Sequence, residues 1–265
     1  MSQPEAVLRN VDARGVATVT LNRPDVNNAY DESLIGGLHE AMDELGAHPG
    51  LRAVLLRGAG RHFQAGADLK WITRVAGQSA EENERVSRAT ATAVHRLNTL
   101  PVPTVALVQG GCFGGGTGIV AACDIVIAAD NALFSIAETR WGLIAGIILP
   151  QLADAIGARQ VRRYALSGER FDALEARRIG LVHEVVPLAE LQAAGERILG
   201  QLLQNAPEAN AQTKEVALEF AWGAIDDSVL ARLCVQHAAK RRSAEATEGL
   251  ASFVEKRAAT WFSPV

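Results

Sequence analysis

The stretch Thr104-Val-Ala-Leu-Val-Gln-Gly-Gly-Cys-Phe-Gly-Gly-Gly-Thr-Gly-Ile-Val-Ala-Ala-Cys-Asp-Ile-Val-Ile-Ala128 carries the reading of the fold. Thr104–Val108 is a short apolar run held between Pro103 and a glycine cluster, which predicts a strand buried on both faces. Residues 110–116 are too glycine-rich for regular structure and predict a bend, from which an apolar helix runs through Ala122. A second buried strand follows over 124–128. Strand, bend, helix and strand joined by short connections are the signature of stacked β/α units in an α/β fold.

Working outward, residues 6–21 predict a hairpin. Ala17, Val19 and Leu21 alternate with Thr18 and Thr20 beyond a turn at Asp12-Ala-Arg-Gly15. Asp31 is placed to cap a helix whose face is Leu34, Leu38, Met42 and Leu45, with Gly46 as its stop. Ala53-Val-Leu-Leu56 predicts another buried strand and 58–68 a loop. A long helix over 81–99 follows, with Val86, Thr90, Ala93, Val94 and Leu97 on one side and Pro101 and Pro103 ending it. Residues 132–136 predict a further strand. Beyond about residue 150 the strand signal is confined to 181–186, and helices are predicted over 158–166, 172–179, 188–204, 208–221 and 226–258. The expected organisation is a core over 1–200 and a helical C-terminal region over 201–265, without internal repeats.

A chain of 265 residues that is 48% hydrophobic and 21% charged can bury a large interior, so it needs neither disulfides nor a structural metal to hold it together. Cys112, Cys123 and Cys234 are odd in number and form no CxxC or Cys/His cluster, which predicts free thiols in a reducing compartment. The opening Met-Ser-Gln-Pro-Glu-Ala lacks the charged and apolar regions of a leader, and no apolar run approaches the roughly 18 residues of a membrane span. A cytoplasmic protein without a membrane partner is expected. A formal net charge of −4 provides no basic field for nucleic acid.

Three segments carry candidate chemistry. Arg61-His-Phe-Gln-Ala-Gly-Ala-Asp-Leu-Lys70 joins a strand to a helix through small residues, which is either a tight connection or a place where exposed amides meet an anion or a polarised carbonyl. Gly114, Gly115 and Gly116 open a helix, where unpaired N–H groups and the helix dipole favour negative charge. Glu138 lies just past a strand in apolar surroundings. It is either a carboxyl made basic by desolvation or a surface group paired with Arg140. There is no GxSxG elbow, no GxxxxGK[ST] loop and no HExxH helix. Gly116-Thr-Gly118-Ile-Val-Ala121 matches a dinucleotide fingerprint, but Asp124 and Asp130 come too early to serve as its ribose carboxylate.

Read together, five pieces resemble the enoyl-CoA hydratase/isomerase (crotonase) family. They are Leu21-Asn-Arg-Pro-Asp-Val-Asn-Asn-Ala29, Phe63-Gln-Ala-Gly-Ala-Asp-Leu69, Gln109-Gly-Gly-Cys-Phe-Gly-Gly-Gly116, Cys123-Asp-Ile-Val-Ile-Ala128 and Ala137-Glu-Thr-Arg-Trp-Gly-Leu143. The resemblance implies a spiral of β/β/α units with a helical C-terminal region that builds homotrimers, usually paired as dimers of trimers. It implies an acyl-CoA substrate and no metal or other cofactor, coenzyme A being part of the substrate. By the family pattern, the N–H groups of Ala67 and Gly115 form an oxyanion hole and Glu138 is the acid/base. Val26, Ala65, Asp68, Leu69, Lys70 and Gly114 would cradle coenzyme A, and Phe253 and Lys256 would meet its phosphates.

In one respect the chain departs from the family. Where family hydratases carry a first glutamate, this sequence has Gly118, a pattern shared with the Δ3,Δ2-enoyl-CoA isomerases that use a single base. A non-catalytic acyl-CoA-binding protein is a further alternative. Other pieces are similar to the methylglutaconyl-CoA and carboxygeranoyl-CoA hydratase branch of leucine and isoprenoid breakdown. On that resemblance a second substrate carboxylate would meet Arg140 or Arg61.

Overall fold

The computed structural model describes residues 5–221 and 243–261, the side chains of Phe253 and Val254 excepted. A six-stranded sheet forms its centre in the order β1, β2, β3, β4, β6, β9: Val7–Val11, Val16–Leu21, Ala53–Gly58, Thr104–Val108, Ile125–Ala129 and Glu184–Val186. β1 and β2 pair antiparallel, as a hairpin must, and every other pair in this sheet is parallel. The Asp12 carboxylate closes the hairpin turn by accepting from the N–H groups of Arg14 and Val16, at 2.8 and 3.1 Å.

The unbroken apolar runs of β3, β4 and β6 follow from burial on both faces. Val54, Leu56, Ala106, Val108, Val126 and Ala128 point into the larger core, while Ala53, Leu55, Val105, Leu107, Ile127 and Ala129 point the other way. Alternate side chains of a strand lie on opposite faces, so a run with two covered faces shows no polar alternation. The larger core is closed by α1 (Glu32–Ala47) and α3 (Ala80–Asn98), and the opposite face by α7 (Leu191–Leu203), whose Leu191, Ala194, Leu199 and Leu203 pack on it. Each buried leucine of this kind contributes roughly 1.5–3 kcal/mol.

Asp31 caps α1 as expected, accepting from Ser33 and Leu34 N–H at 3.0 and 3.1 Å, and Leu34, Leu38, Met42 and Leu45 are buried. Gly46 does not stop this helix, which runs one residue further to a cap at His48. Three elements are additional to the sequence reading, one of them the two-residue strand Phe171–Asp172. α2 (Leu69–Ala76) is a short helix capped by Asp68, and β5 (Gly111–Phe113) is a strand inside the glycine-rich bend.

β5 pairs in parallel with β7 (Leu133–Ser135), which pairs antiparallel with β8 (Phe171–Asp172), making a second, three-stranded sheet. Between β5 and β6 runs α4 (Gly115–Ala121). α5 (Leu149–Ser167) starts well before the expected residue 158. The reason is a break at Gly157 (φ 73°, ψ 148°), which divides it into two helical pieces of which the sequence pattern shows only the second. α6 (Ala173–Ile179) and α8 (Pro207–Phe220) lie close to their predicted ranges. Of the helix predicted over 226–258, residues 226–242 lie outside the described residues, and Ala244–Glu255 forms α9. Glu245 of α9 caps α8 by accepting from Glu208 and Ala209 N–H, at 2.9 and 3.0 Å. Arg52 ties β3 to the C-terminal region through the carbonyls of Leu203, Asn205 and Trp261.

Candidate active site

The two small-residue bends are stitched together by backbone pairing. Gln64 N–H donates to Gly111 O (3.1 Å) and Phe113 N–H donates to Gln64 O (2.9 Å), so the loop after β3 continues the small sheet alongside β5. Beyond this bridge, Gly66 turns with φ 88° and Gly114 with φ 52°, conformations that a side chain disfavours. A Cβ on Gly114 would sit 3.8 Å from the Gly66 α-carbon, so the bends are in van der Waals contact.

Pairing also decides which amides stay free. Tyr30 N–H donates to Gly66 O and Asp68 N–H donates to Tyr30 O, both at 2.9 Å. A parallel bridge made by the peptides flanking Ala67 turns the N–H of Ala67 itself to the opposite side. Gly115 is the first residue of α4, where an N–H has no acceptor within the helix. Neither amide donates to a protein group among the described residues.

Glu138 reaches the same place through the register of the small sheet. Phe113 is paired with Ser135, and Gly114 N–H donates to Ser135 O at 2.8 Å, so the residue three beyond Ser135 arrives beside the glycine bend. Glu138 Oε1 stands 3.0 Å from the position of a Cβ on Gly114. Its Oε2 is enclosed without a hydrogen-bond partner among the described residues. Burial holds the carboxyl above the usual glutamate range. Glu138 makes no ion pair with Arg140, which is exposed and lies against Gly168.

Gly115 and Glu138 line a cavity of about 400 Å³, of which Ala67 is not a lining residue. Gly115, Glu138 and Tyr30 stand at one part of its wall, and apolar residues such as Leu34, Trp71, Val94 and Ile148 form most of the rest. Glu138 is its one charged lining residue among the described residues. Arg140 and Arg61, the residues expected to meet a second substrate carboxylate, are not among its lining residues. Ile148 also fills the space beside Gly118: a Cβ added to that glycine would lie 2.3 Å from Ile148 Cγ2. No carboxylate can extend from position 118 without displacing Ile148.

Of the residues expected at coenzyme A, Val26, Ala65 and Asp68–Lys70 belong to neighbouring segments, and none of them lines the cavity. Val26 is exposed in a short 3-10 turn, Pro24–Val26, next to Asn27, whose carbonyl accepts from Ala65 N–H at 3.0 Å. Asp68 caps α2, and Leu69 and Lys70 are exposed on its first turn. Lys256 is exposed at the end of α9 with φ 54°, away from the cavity lining, and the Phe253 side chain lies outside the described residues.

Four residues escaped the sequence reading. Asn28 is fully buried at φ 57° and donates through Nδ2 to the carbonyls of Ala59, His62 and Phe63, at 2.8–3.1 Å. Gln64, also fully buried, folds back on Gly66, accepting from its N–H (2.8 Å) and donating to its carbonyl (3.1 Å). Arg23 bridges the two helix-capping carboxylates, Asp31 at 2.9 Å and Asp68 at 3.6 Å. Tyr30 enters the cavity itself. Asn28 could have been suspected from the paired asparagines at 27 and 28, which tolerate left-handed backbone; the other three give no local signal.

Known proteins share this sequence pattern and this fold. The enoyl-CoA hydratase/isomerase family profile matches residues 12–264. A crystal structure of an enoyl-CoA hydratase from Shewanella pealeana superposes with a TM-score of 0.93 at 34% identity, over 97% of this chain and 96% of that one. A hydroxycinnamoyl-CoA hydratase-lyase from Pseudomonas fluorescens is 34% identical over 83% of this chain and 82% of its own. A mitochondrial Δ(3,5)-Δ(2,4)-dienoyl-CoA isomerase from Dictyostelium discoideum is 31% identical, over 94% and 88%. The chain belongs to the enoyl-CoA hydratase/isomerase family.

Proposed function

We propose that this member of the enoyl-CoA hydratase/isomerase family is a hydratase that adds water across the α,β double bond of an acyl-CoA thioester with an uncharged, apolar acyl group. One observation carries the reading: among the described residues, an enclosed carboxylate oxygen of Glu138 has no partner, and it lies near two backbone N–H groups that have no acceptor. A buried polar atom left unpaired in a folded protein asks for a ligand. The carbonyl oxygen of the thioester would accept from Ala67 and Gly115. These donors bind the enolate more strongly than the ground-state carbonyl, and one such donor is worth about 3–4 kcal/mol in the transition state.

Water then bonds to the β carbon as one of its protons passes to Glu138, and the electron pair of the double bond moves to the carbonyl oxygen. Collapse of the enolate takes a proton from Glu138 at the α carbon, so one carboxyl serves both ends. A carboxyl whose affinity for protons is raised by burial suits both halves of that shuttle. The scheme uses no metal or redox cofactor, and coenzyme A enters as part of the substrate along the Val26 and Asp68–Lys70 segments. A homotrimeric or hexameric assembly in the cytoplasm belongs to the same proposal.

The apolar cavity argues against a glutaconyl-type substrate. Its second carboxylate would be desolvated beside Glu138 with no cation among the lining residues to offset the cost. A second reading, Δ3,Δ2-enoyl-CoA isomerisation, is favoured by the Gly118–Ile148 contact, because a single base suffices to move a proton between two carbons. A panel of linear, branched and carboxylated enoyl-CoAs, assayed with chelator present, tests both. The expected product is heavier by one water and forms from the apolar thioesters. A shifted double bond without added water selects isomerisation, and preference for a carboxylated acyl group contradicts the substrate class.

A further inference from the structure

Adding water to a carbon requires that its oxygen be aimed, and a single carboxylate leaves the second hydrogen of that water without a partner. Tyr30 stands where such a partner is needed. Its ring carbon Cε1 is 2.6 Å from the position of a Cβ on Gly115, while Glu138 Oε1 is 3.0 Å from that on Gly114. Neighbouring α-carbons are about 3.8 Å apart, so the phenol and the carboxylate stand against the two ends of the Gly114–Gly115 peptide, which carries the Gly115 N–H.

The ring is held there firmly. The backbone of Tyr30 is paired on both sides to Gly66 and Asp68, and its ring packs edge-on against Trp71 at a centroid distance of 5.7 Å. Two of the other polar lining residues are spent on main-chain carbonyls: Asn83 donates to Val75 O at 2.8 Å and Thr90 to Val86 O at 3.0 Å, while Ser87 also lines the cavity. The Tyr30 hydroxyl has no protein hydrogen-bond partner among the described residues. Its pKa is pushed up to about 12 by burial and by the charge of Glu138, so it remains a neutral group that can donate and accept but not act as a base.

We propose that Tyr30 is a second catalytic residue, whose hydroxyl holds the attacking water against Glu138 in the apolar cavity. The phenol keeps its proton throughout. It accepts from the hydrogen of water that stays on the new hydroxyl group, while Glu138 takes the other. This role rests on the hydratase reading above.

Two reactions of one protein separate the alternatives. Exchange of the α protons of a saturated acyl-CoA for deuterium in D2O uses the oxyanion donors and Glu138 but adds no water, whereas hydration needs all three. Tyr30→Phe removes one oxygen from the ring and is expected to lower hydration kcat by about 30-fold or more, with KM for the thioester and the rate of α-proton exchange within about threefold of wild type. A parallel fall in both reactions would assign Tyr30 a merely structural part and overturn the proposal, as would unimpaired hydration in the variant. A wild-type protein that exchanges α protons yet hydrates no enoyl-CoA would overturn the hydratase reading and this role with it.

Discussion

At the scale of single residues, the chemistry turns on the proton affinity of Glu138. Its carboxyl is raised by burial, so it is ionised, and able to act as a base, only above the usual glutamate range. The acid limb of hydration against pH is therefore expected above that range, and Glu138→Gln should remove the limb and lower turnover by on the order of 10²–10⁴. The same shift has a sign for stability. A carboxyl held above its unfolded value favours the fold below the unfolded value and loses that contribution as pH rises through the folded one. Glu138→Gln should thus raise Tm at pH 8 and make little difference near pH 4, in a thermal melt at both. An equal Tm difference at the two pH values would show that the carboxyl is not held in its acid form. How much of this was legible depended on the residue. Glycine bends and an acid among apolar residues leave a local signal that marks the segments around Ala67, Gly115 and Glu138, and the family resemblance then singles out those three residues. Tyr30, Gln64 and Arg23 could not, because their partners lie in other segments: Tyr30 against Gly115, Gln64 across to β5, Arg23 between two caps.

Among the elements, the contact between α4 and α5 determines what kind of site this is. Gly118 of α4 lies so close to Ile148, the residue just before α5, that any side chain there must displace it. Gly118→Ala is expected to cost about 1–3 kcal/mol through overpacking. Ile148→Ala in the same chain should return part of that loss, a coupling that denaturant melts of the two single variants and the double variant would measure. Strict additivity would mean that the two residues are not in contact. The strands of the large sheet were readable from apolar runs because both of their faces are covered. β5 was not, being three residues whose glycine and cysteine look like part of a bend and which become a strand only on pairing with β7. The first piece of α5 was hidden by Pro150 and the break at Gly157, and α2 by its proximity to the capped loop before it.

At the scale of the molecule, the large sheet is a platform and the small sheet is the device that gathers the site. Parallel strands release their loops at one end, and β5, β7 and the Gln64 bridge then bring the loop after β3, the start of α4 and the turn after β7 to a common point. Helices α1, α2 and α3 wall the cavity that opens there. The order of these pieces was visible in the sequence, but their convergence was implied only by the family resemblance, since it depends on pairings between residues nearly fifty positions apart. The most direct test is a crystal structure of the Glu138→Gln variant with an unreactive acyl-CoA. The thioester oxygen should lie about 2.7–3.1 Å from the backbone nitrogens of both Ala67 and Gly115, with the acyl group in the apolar cavity. A thioester oxygen bound elsewhere, or within reach of only one of the two amides, would contradict the account.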